Sequence, residues 1–249
     1  MYHIAAVWEI YNVNQVAKKL RDGYTICMSY QWYEDSKVSY IGLDDYPEYF
    51  KEEPESLPSK EILKDMYQRM WNVLDTADMI VAHNGKAFDI KKLNGEFFRM
   101  GMPPPSFARV TDTKNICKRS FGFASNKLEE IVQIAEIGRK LPNEGIELWA
   151  ECDKRSKKKW KIMKAYCMHD TALLKPVFER VKPWMAPVDY INWNLELDRP
   201  GCCPVCGSLQ IKKDGSWYYS KRMVQKYRCT RKGCGKCFAG ETLQTTRLG

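Results

Sequence analysis

The sequence predicts an α/β domain, a mixed sheet flanked by helices, followed by a small β module at the C-terminal end. Three observations carry this. Ile80 to Leu93 (IVAHNGKAFDIKKL) opens with an apolar, partly β-branched run, breaks at Gly85, and continues from Asp89 as an amphipathic segment with Ile90, Leu93, Phe97 and Phe98 on one face. Upstream, Ser59 to about Thr76 carries a helical stripe of Ile62, Leu63, Met66, Met70, Val73 and Leu74, so a helix feeds the strand that ends at His83. Six of the ten cysteines crowd into the last 48 residues.

A chain of 249 residues can bury a sizeable core and divide into more than one domain. Hydrophobic residues make up 44% and charged residues 29%, as in soluble globular proteins. No apolar run reaches the ~18–20 residues that cross a membrane, and no signal-peptide pattern opens the chain, which gives a cytoplasmic location as the default. The net charge of +9 is uneven: residues 201–249 hold 10 Lys+Arg against 2 Asp+Glu, whereas residues 1–200 hold 30 against 29. The basic character belongs to the tail and points to a polyanionic partner, ahead of a merely solvated tail. With no secretion signal, the tail cysteines read as metal ligands rather than disulfides.

Taken in order, Tyr24 to Tyr33 and Lys37 to Leu43 read as two strands joined by a turn at Glu34-Asp35. Residues 44–58 are acidic and proline-bearing, a surface loop. Gly101 ends the helix that begins near Asp89, and the prolines at 103–105 keep it ended. Arg109-Val110-Thr111 is a short strand, and the following Asp112 is a helix cap or a site residue. A helix runs from Asn126 to near Gly138. The basic run Lys154 to Lys161 (KRSKKKWK) is a solvated face or a phosphate contact with Trp160 inside it. Pro183 to Pro200 carries three prolines and little periodicity, which sets expected domains at 1–185 and 201–249 with a linker at 186–200.

Two motifs carry chemistry in the first domain. Asn84-x-x-x-Phe88-Asp89 lies at the end of a strand, where open α/β folds place ligands, and Tyr166-x-x-x-Asp170 puts both side chains on one helical face. In this order and separation they resemble the second and third motifs of the RNase H-like 3′→5′ exonucleases of the tyrosine subtype, shared with the proofreading domain of family-B polymerases and with phage and bacterial members. The resemblance covers about residues 7–180. It implies a Mg²⁺- or Mn²⁺-dependent two-ion nuclease in which Asp170 ligates one ion, Asp89 holds the second through water, and Tyr166 orients the attacking water. Asn84 and Phe88 would then shape the pocket around the terminal nucleotide.

The first strand of that family, with its Asp-x-Glu pair of bridging ligands, is not found here. The only acid before Asp22 is Glu9, with no Asp two residues earlier. Met1 is therefore expected to be an internal methionine of a longer reading frame, and the chain as given is expected to have little or no nuclease activity. The alternatives are a non-catalytic nucleic-acid-binding protein on a degenerate nuclease fold, or a protein-interaction adaptor. The choice between DNA and RNA stays open, with single-stranded DNA or a 3′ end as the expected partner. His169 adjoins Asp170 and cannot share its face, so it is not assigned as a general base.

In the tail, Cys203-Pro-Val-Cys206-Gly207 has the spacing of a zinc knuckle, and Cys229 with Cys234, followed by Gly235, supplies a second half; Cys237 is the alternate ligand. Between the halves, Ile211 to Val224 alternates aromatic and polar residues about Asp214-Gly215, as a hairpin would. The module looks like the zinc ribbons attached to transposases and some phage nucleases. Four thiolates make a closed, structural Zn²⁺ site. Trp217, Tyr219, Lys221 and Arg222 are the expected nucleic-acid contacts, among a basic and aromatic set that includes Lys212, Lys213, Tyr218, Lys226 and Arg228.

Overall fold

The computed structural model describes residues 4–6, 18–21, 23–107, 109–142, 144–190, 201–219 and 222–245. They gather into two compact units, one of residues 1–76, 88–106 and 139–173, the other of residues 77–87, 107–138 and 174–249. The expected segment upstream of Lys18, including Glu9, lies outside the described residues apart from Ile4–Ala6.

In the first unit, β1 (Ile4–Ala6) pairs antiparallel with β2 (Lys18–Arg21), and β3 (Cys27–Tyr30) with β4 (Ser39–Gly42), the hairpin anticipated at 24–43. The helix α1 (Lys60–Thr76) buries Ile62, Leu63, Met66, Tyr67, Met70 and Leu74, the predicted stripe with Tyr67 added. At its start Glu52 accepts from the Ser59 backbone N–H at 2.9 Å, and further along the Tyr67 hydroxyl donates to the Thr25 carbonyl. In α2 (Asp89–Arg99), Leu93, Glu96 and Phe97 are buried while Phe98 is 85% exposed. Phe98 thus lies off the expected apolar face: one residue beyond Phe97 turns the side chain by about 100°, and the buried neighbour one turn below Arg99 is Glu96, bonded to that guanidinium. Gly101 ends the helix with φ +69°, as anticipated. The unit is completed by α5 (Ile146–Asp153) and the first part of α6 (Lys157–Val181).

The basic run at 154–161 is only partly a surface. Trp160 is 1% exposed, packs edge-on against Tyr49, and donates its indole N–H to the Cys152 carbonyl. The Arg155 guanidinium lies 4.1 Å from the Tyr49 ring centre and donates to the Tyr49 hydroxyl, the Asp153 carbonyl and the Ser56 carbonyl. Asp153, itself buried, takes the Tyr24 hydroxyl at 2.7 Å. Neither Arg155 nor Trp160 is free to meet phosphate; the sequence pattern of lysines hid two core residues.

In the second unit, β5 (Met79–Ala82) pairs parallel with β6 (Arg109–Asp112), in the register Ala82 to Asp112. Helices α3 (Thr113–Ser120) and α4 (Leu128–Ile134) follow, burying Ile116, Cys117, Ile131 and Val132. Among the described residues the strands of this α/β fold pair as short ladders, with β5 and β6 the parallel one. Of the expected linker, residues 187–189 form a 3₁₀ turn tied down by β6 and α3: the Thr111 hydroxyl donates to the Asp189 carbonyl, Arg109 to the Val188 carbonyl, and Arg119 pairs with the Asp189 carboxylate. Residues 191–200 lie outside the described residues.

The C-terminal module is a three-stranded antiparallel sheet, β7 (Ile211–Tyr219), β8 (Arg222–Cys229) and β9 (Cys237–Thr245). Here Asp214-Gly215 is a bulge inside β7 and not the hairpin turn. Gly215 takes φ +80° at the point where the register jumps from Lys213 to Ser216, a conformation that suits glycine in either setting, so the dipeptide alone does not separate turn from bulge.

Replacing Arg155 with Ala leaves the buried Asp153 carboxylate without its cation, and the expected cost is about 3–5 kcal/mol of unfolding free energy in urea titrations. Arg155→Lys recovers little of this, because an ammonium reproduces neither the stack on Tyr49 nor the fork of donors.

Candidate functional site

The end of the β5–β6 ladder is organised by one buried carboxylate. Asp112 caps α3 through the N–H groups of Lys114 and Asn115, as its position before the helix predicted. It also accepts from the Asn84 N–H at 2.9 Å and the Lys86 N–H at 3.1 Å, and so shapes the turn that follows β5. In that turn Asn84 has φ +70°, and its side-chain oxygen takes the Lys114 ammonium at 3.1 Å. His83 is held between the Thr113 hydroxyl and the Asn126 carbonyl, each at 2.9 Å, a structural placement.

Asp89 occupies the first turn of α2, where a carboxylate is favoured by the helix dipole. It is not the cap: that position belongs to Phe88, which offers no side-chain bond. The Phe88 ring is 45% exposed, with the Lys92 ammonium 5.7 Å from its centre.

On α6, Tyr166 and Asp170 come together around a residue that no sequence pattern marked. The Lys140 ammonium lies 2.8 Å from the Tyr166 hydroxyl and 2.7 Å from Asp170 Oδ2, and 4.9 Å from the centre of the Tyr166 ring. Burial works against that ammonium, but its bonds to Asp170 and Tyr166 prevail and hold its pKa above the ordinary lysine value. Burial in turn pushes the Tyr166 phenol up, so it stays protonated at neutral pH. Trp149 packs edge-on against Tyr166. The helix is fastened to β3 by Ser29, whose hydroxyl donates to the Cys167 carbonyl and meets the Thr171 hydroxyl at 2.6 Å. His169 points elsewhere, to the Arg139 carbonyl.

Asp170 Oδ1 is buried and has no hydrogen-bond partner among the described residues. An orphaned, dry carboxylate oxygen fits a cation ligand. The rest of a two-ion set is not there: among the described residues no group of three or more carboxylate, imidazole or thiol donors includes Asp170 or Asp89. A signal for Lys140 was beyond reach in the sequence, since it stands 26 residues from Tyr166 in a basic chain.

The second site is complete. Cys203, Cys206, Cys229 and Cys234 bring their sulfurs within 4.8 Å of one another, with 3.8 Å between Cys203 and Cys234 and 3.7 Å between Cys206 and Cys229. Tetrahedral Zn–S bonds of about 2.3 Å require edges of about 3.8 Å, so the donor set fits Zn²⁺ with no position left open. Gly207 and Gly235 follow the knuckles with φ +65° and +61°, the equivalence that favoured Cys234 over Cys237. The Cys237 sulfur lies instead 3.8 Å from Asp214 Oδ2. Lys236, between the two, donates to the carbonyls of Met185 and Pro183 and pins the knuckle to the end of α6. Of the expected contacts on this module, Trp217 is half-buried, Tyr219 is 51% exposed and Arg222 is exposed; Lys221 lies outside the described residues.

These elements define an α/β protein with a short parallel ladder, a tyrosine–aspartate pair on its long helix and an appended four-cysteine module. The family model described as RNase_H superfamily matches residues 17–182, about two thirds of the chain and all of it ahead of the four-cysteine module. The chain belongs to the RNase H superfamily, whose fold is associated with nuclease-type action on nucleic acid. No curated protein matches it.

Metal analysis of the purified chain should return one zinc per polypeptide. Cys206→Ser and Cys234→Ser are expected to lose the ion, and Cys237→Ser to keep it.

Proposed function

We propose that the chain is a nucleic-acid-processing protein of the metal-dependent 3′→5′ exonuclease type, tyrosine subtype, acting on single-stranded DNA or a 3′ end. The observation that carries this reading is the buried, unpartnered Asp170 Oδ1 beside a protonated Tyr166, in a chain of the RNase H superfamily. In this reading Asp170 and Asp89 are holders of Mg²⁺ or Mn²⁺, which would supply an activated water and stabilise the leaving oxygen. Tyr166 is the donor that orients water, and Asn84 and Phe88 border the terminal nucleotide. The four cysteines hold a structural Zn²⁺, and the basic module adds affinity for the polyanion through Trp217, Tyr219, Lys221 and Arg222.

Because the described residues do not assemble the remaining ligands, no hydrolytic step is assigned to this chain, and its turnover is expected to be low. A second reading, a non-catalytic nucleic-acid-binding protein, is favoured by Lys140, whose ammonium already neutralises Asp170.

Mn²⁺ binding followed by electron paramagnetic resonance separates the two. The nuclease-type reading expects Mn²⁺ binding that falls with Asp170→Asn, unchanged affinity for single-stranded DNA, and at most slow release of mononucleotides. A chain that takes up no Mn²⁺, with or without DNA, leaves the second reading standing. Lys140→Met should raise Mn²⁺ affinity by up to about tenfold, the effect of removing ~1.4 kcal/mol of like-charge repulsion. Since the Lys140 pKa is raised, its charge persists through neutral and mildly alkaline pH, and the wild-type competition should relax only above the ordinary lysine range.

A further inference from the structure

The register of the C-terminal sheet sorts its side chains into two unlike faces. Residues directly opposite in an antiparallel ladder share a face, as do residues two apart along a strand. Trp217 pairs with Val224 and Tyr219 with Arg222; Lys226 and Arg228 follow Val224 at steps of two, and Lys212 pairs with Arg228. One face thus gathers Lys212, Arg222, Lys226 and Arg228 around Trp217 and Tyr219. The opposite face holds Tyr227 stacked on Phe238 and leads to Cys229 of the sulfur quartet. On that opposite face Lys213, paired with Tyr227, and Tyr218 are exposed, while Val224 is the buried residue of the first face.

The basic face also contains one acid. The Asp214 carboxylate, placed by the bulge, lies 2.9 Å from Arg228 Nε and 3.5 Å from the Lys226 ammonium. At the other end the Arg222 guanidinium lies 5.1 Å from the centre of the Tyr219 ring. Flat rings alternating with cations at strand spacing match a chain of unpaired bases and phosphates, whereas a duplex hides the base faces that such rings would meet.

We propose that this face binds single-stranded nucleic acid without sequence preference, with bases stacked on Trp217 and Tyr219, backbone phosphates on Lys212, Arg222, Lys226 and Arg228, and Asp214 as a resident carboxylate that the incoming phosphate displaces from Arg228 and Lys226. Asp214 therefore sets how tightly the face holds its strand. The inference rests on the reading of this module as a polyanion-binding surface, and it is independent of the reaction assigned to α6.

The test is fluorescence anisotropy with the full chain, in buffer without Mg²⁺ or Mn²⁺, using labelled oligothymidine, oligouridine and a DNA duplex of equal length. Both single strands should bind more tightly than the duplex, and the ratio of the two gives the DNA or RNA preference. Tyr219→Ala and Trp217→Leu should each weaken single-strand binding by about tenfold, and Trp217→Phe should restore most of it. Arg222→Ala should flatten the dependence of log affinity on log salt by about 0.7, the share of one phosphate. Asp214→Asn should bind more tightly and with a steeper salt dependence. Zinc content reports whether each variant keeps its module; should Trp217→Leu lose it, Tyr219→Ala and Asp214→Asn still decide. Equal affinity for duplex and single strands, or wild-type binding by both of those variants, overturns the proposal. Asp170→Asn serves as the control whose binding should not move, so that a failure here is distinct from a failure of the nuclease-type reading.

Discussion

A carboxylate withdrawn from water must find donors for its oxygens, and this rule organises the protein from end to end. Asp112 collects four backbone N–H groups and thereby sets both the start of α3 and the turn after β5. Asp153 is met by Tyr24 and by Arg155, and Asp189 by Arg119 and the Ala186 N–H. Each of these is fully engaged. Asp170 departs from the pattern: Lys140 answers one oxygen and the other stays dry. The fold treats three of the four as struts, and the exception is the one that shares a helical face with Tyr166.

How much of this was legible in the sequence depends on the range of the interaction. Periodicity and capping are local, so α1, the strand–turn–helix at 79–99 and the cap role of Asp112 could be read directly. The cysteine spacing, with glycine after each knuckle, was enough to select Cys234 over Cys237. Residues whose meaning depends on partners far along the chain were not legible. Lys140 is one lysine among many until α6 folds beside it, and Arg155 and Trp160 sit in a run whose composition suggests solvent. Asp112 reaches Asn84 across 28 residues, which no cap rule foresees. At Asp214-Gly215 the local signal was present but ambiguous, since turn and bulge ask the same backbone of glycine.

The C-terminal module shows why metal and basic surface belong together. Its sheet buries little: Val224 and Phe238 are its principal apolar interior, alongside Val205 of the first knuckle. So small a core cannot offset the entropy of ordering three strands, and a cross-link through four sulfurs takes that role. A Zn²⁺ at these sulfurs would hold the fold and leave the strands free to carry cations around a small interior. Lys236, bonded to the carbonyls beyond α6, is the exception, used for attachment instead.

One detail of the module has a further consequence. Cys229 pairs with Ile211, one step along the ladder from the Lys212 and Arg228 pair. The same residue therefore supplies a sulfur and fixes which way the neighbouring strand is turned. A slide of one position by β7 against β8 would reverse every side chain it carries, and the place of Cys229 opposite Ile211 ties that register to the sulfur quartet. Trp217 and Tyr219 would then leave the face they share with Arg222, Lys226 and Arg228. An ion at the four sulfurs would thus act as the index mark of the ladder, tying the surface the strands display to the integrity of the knuckles.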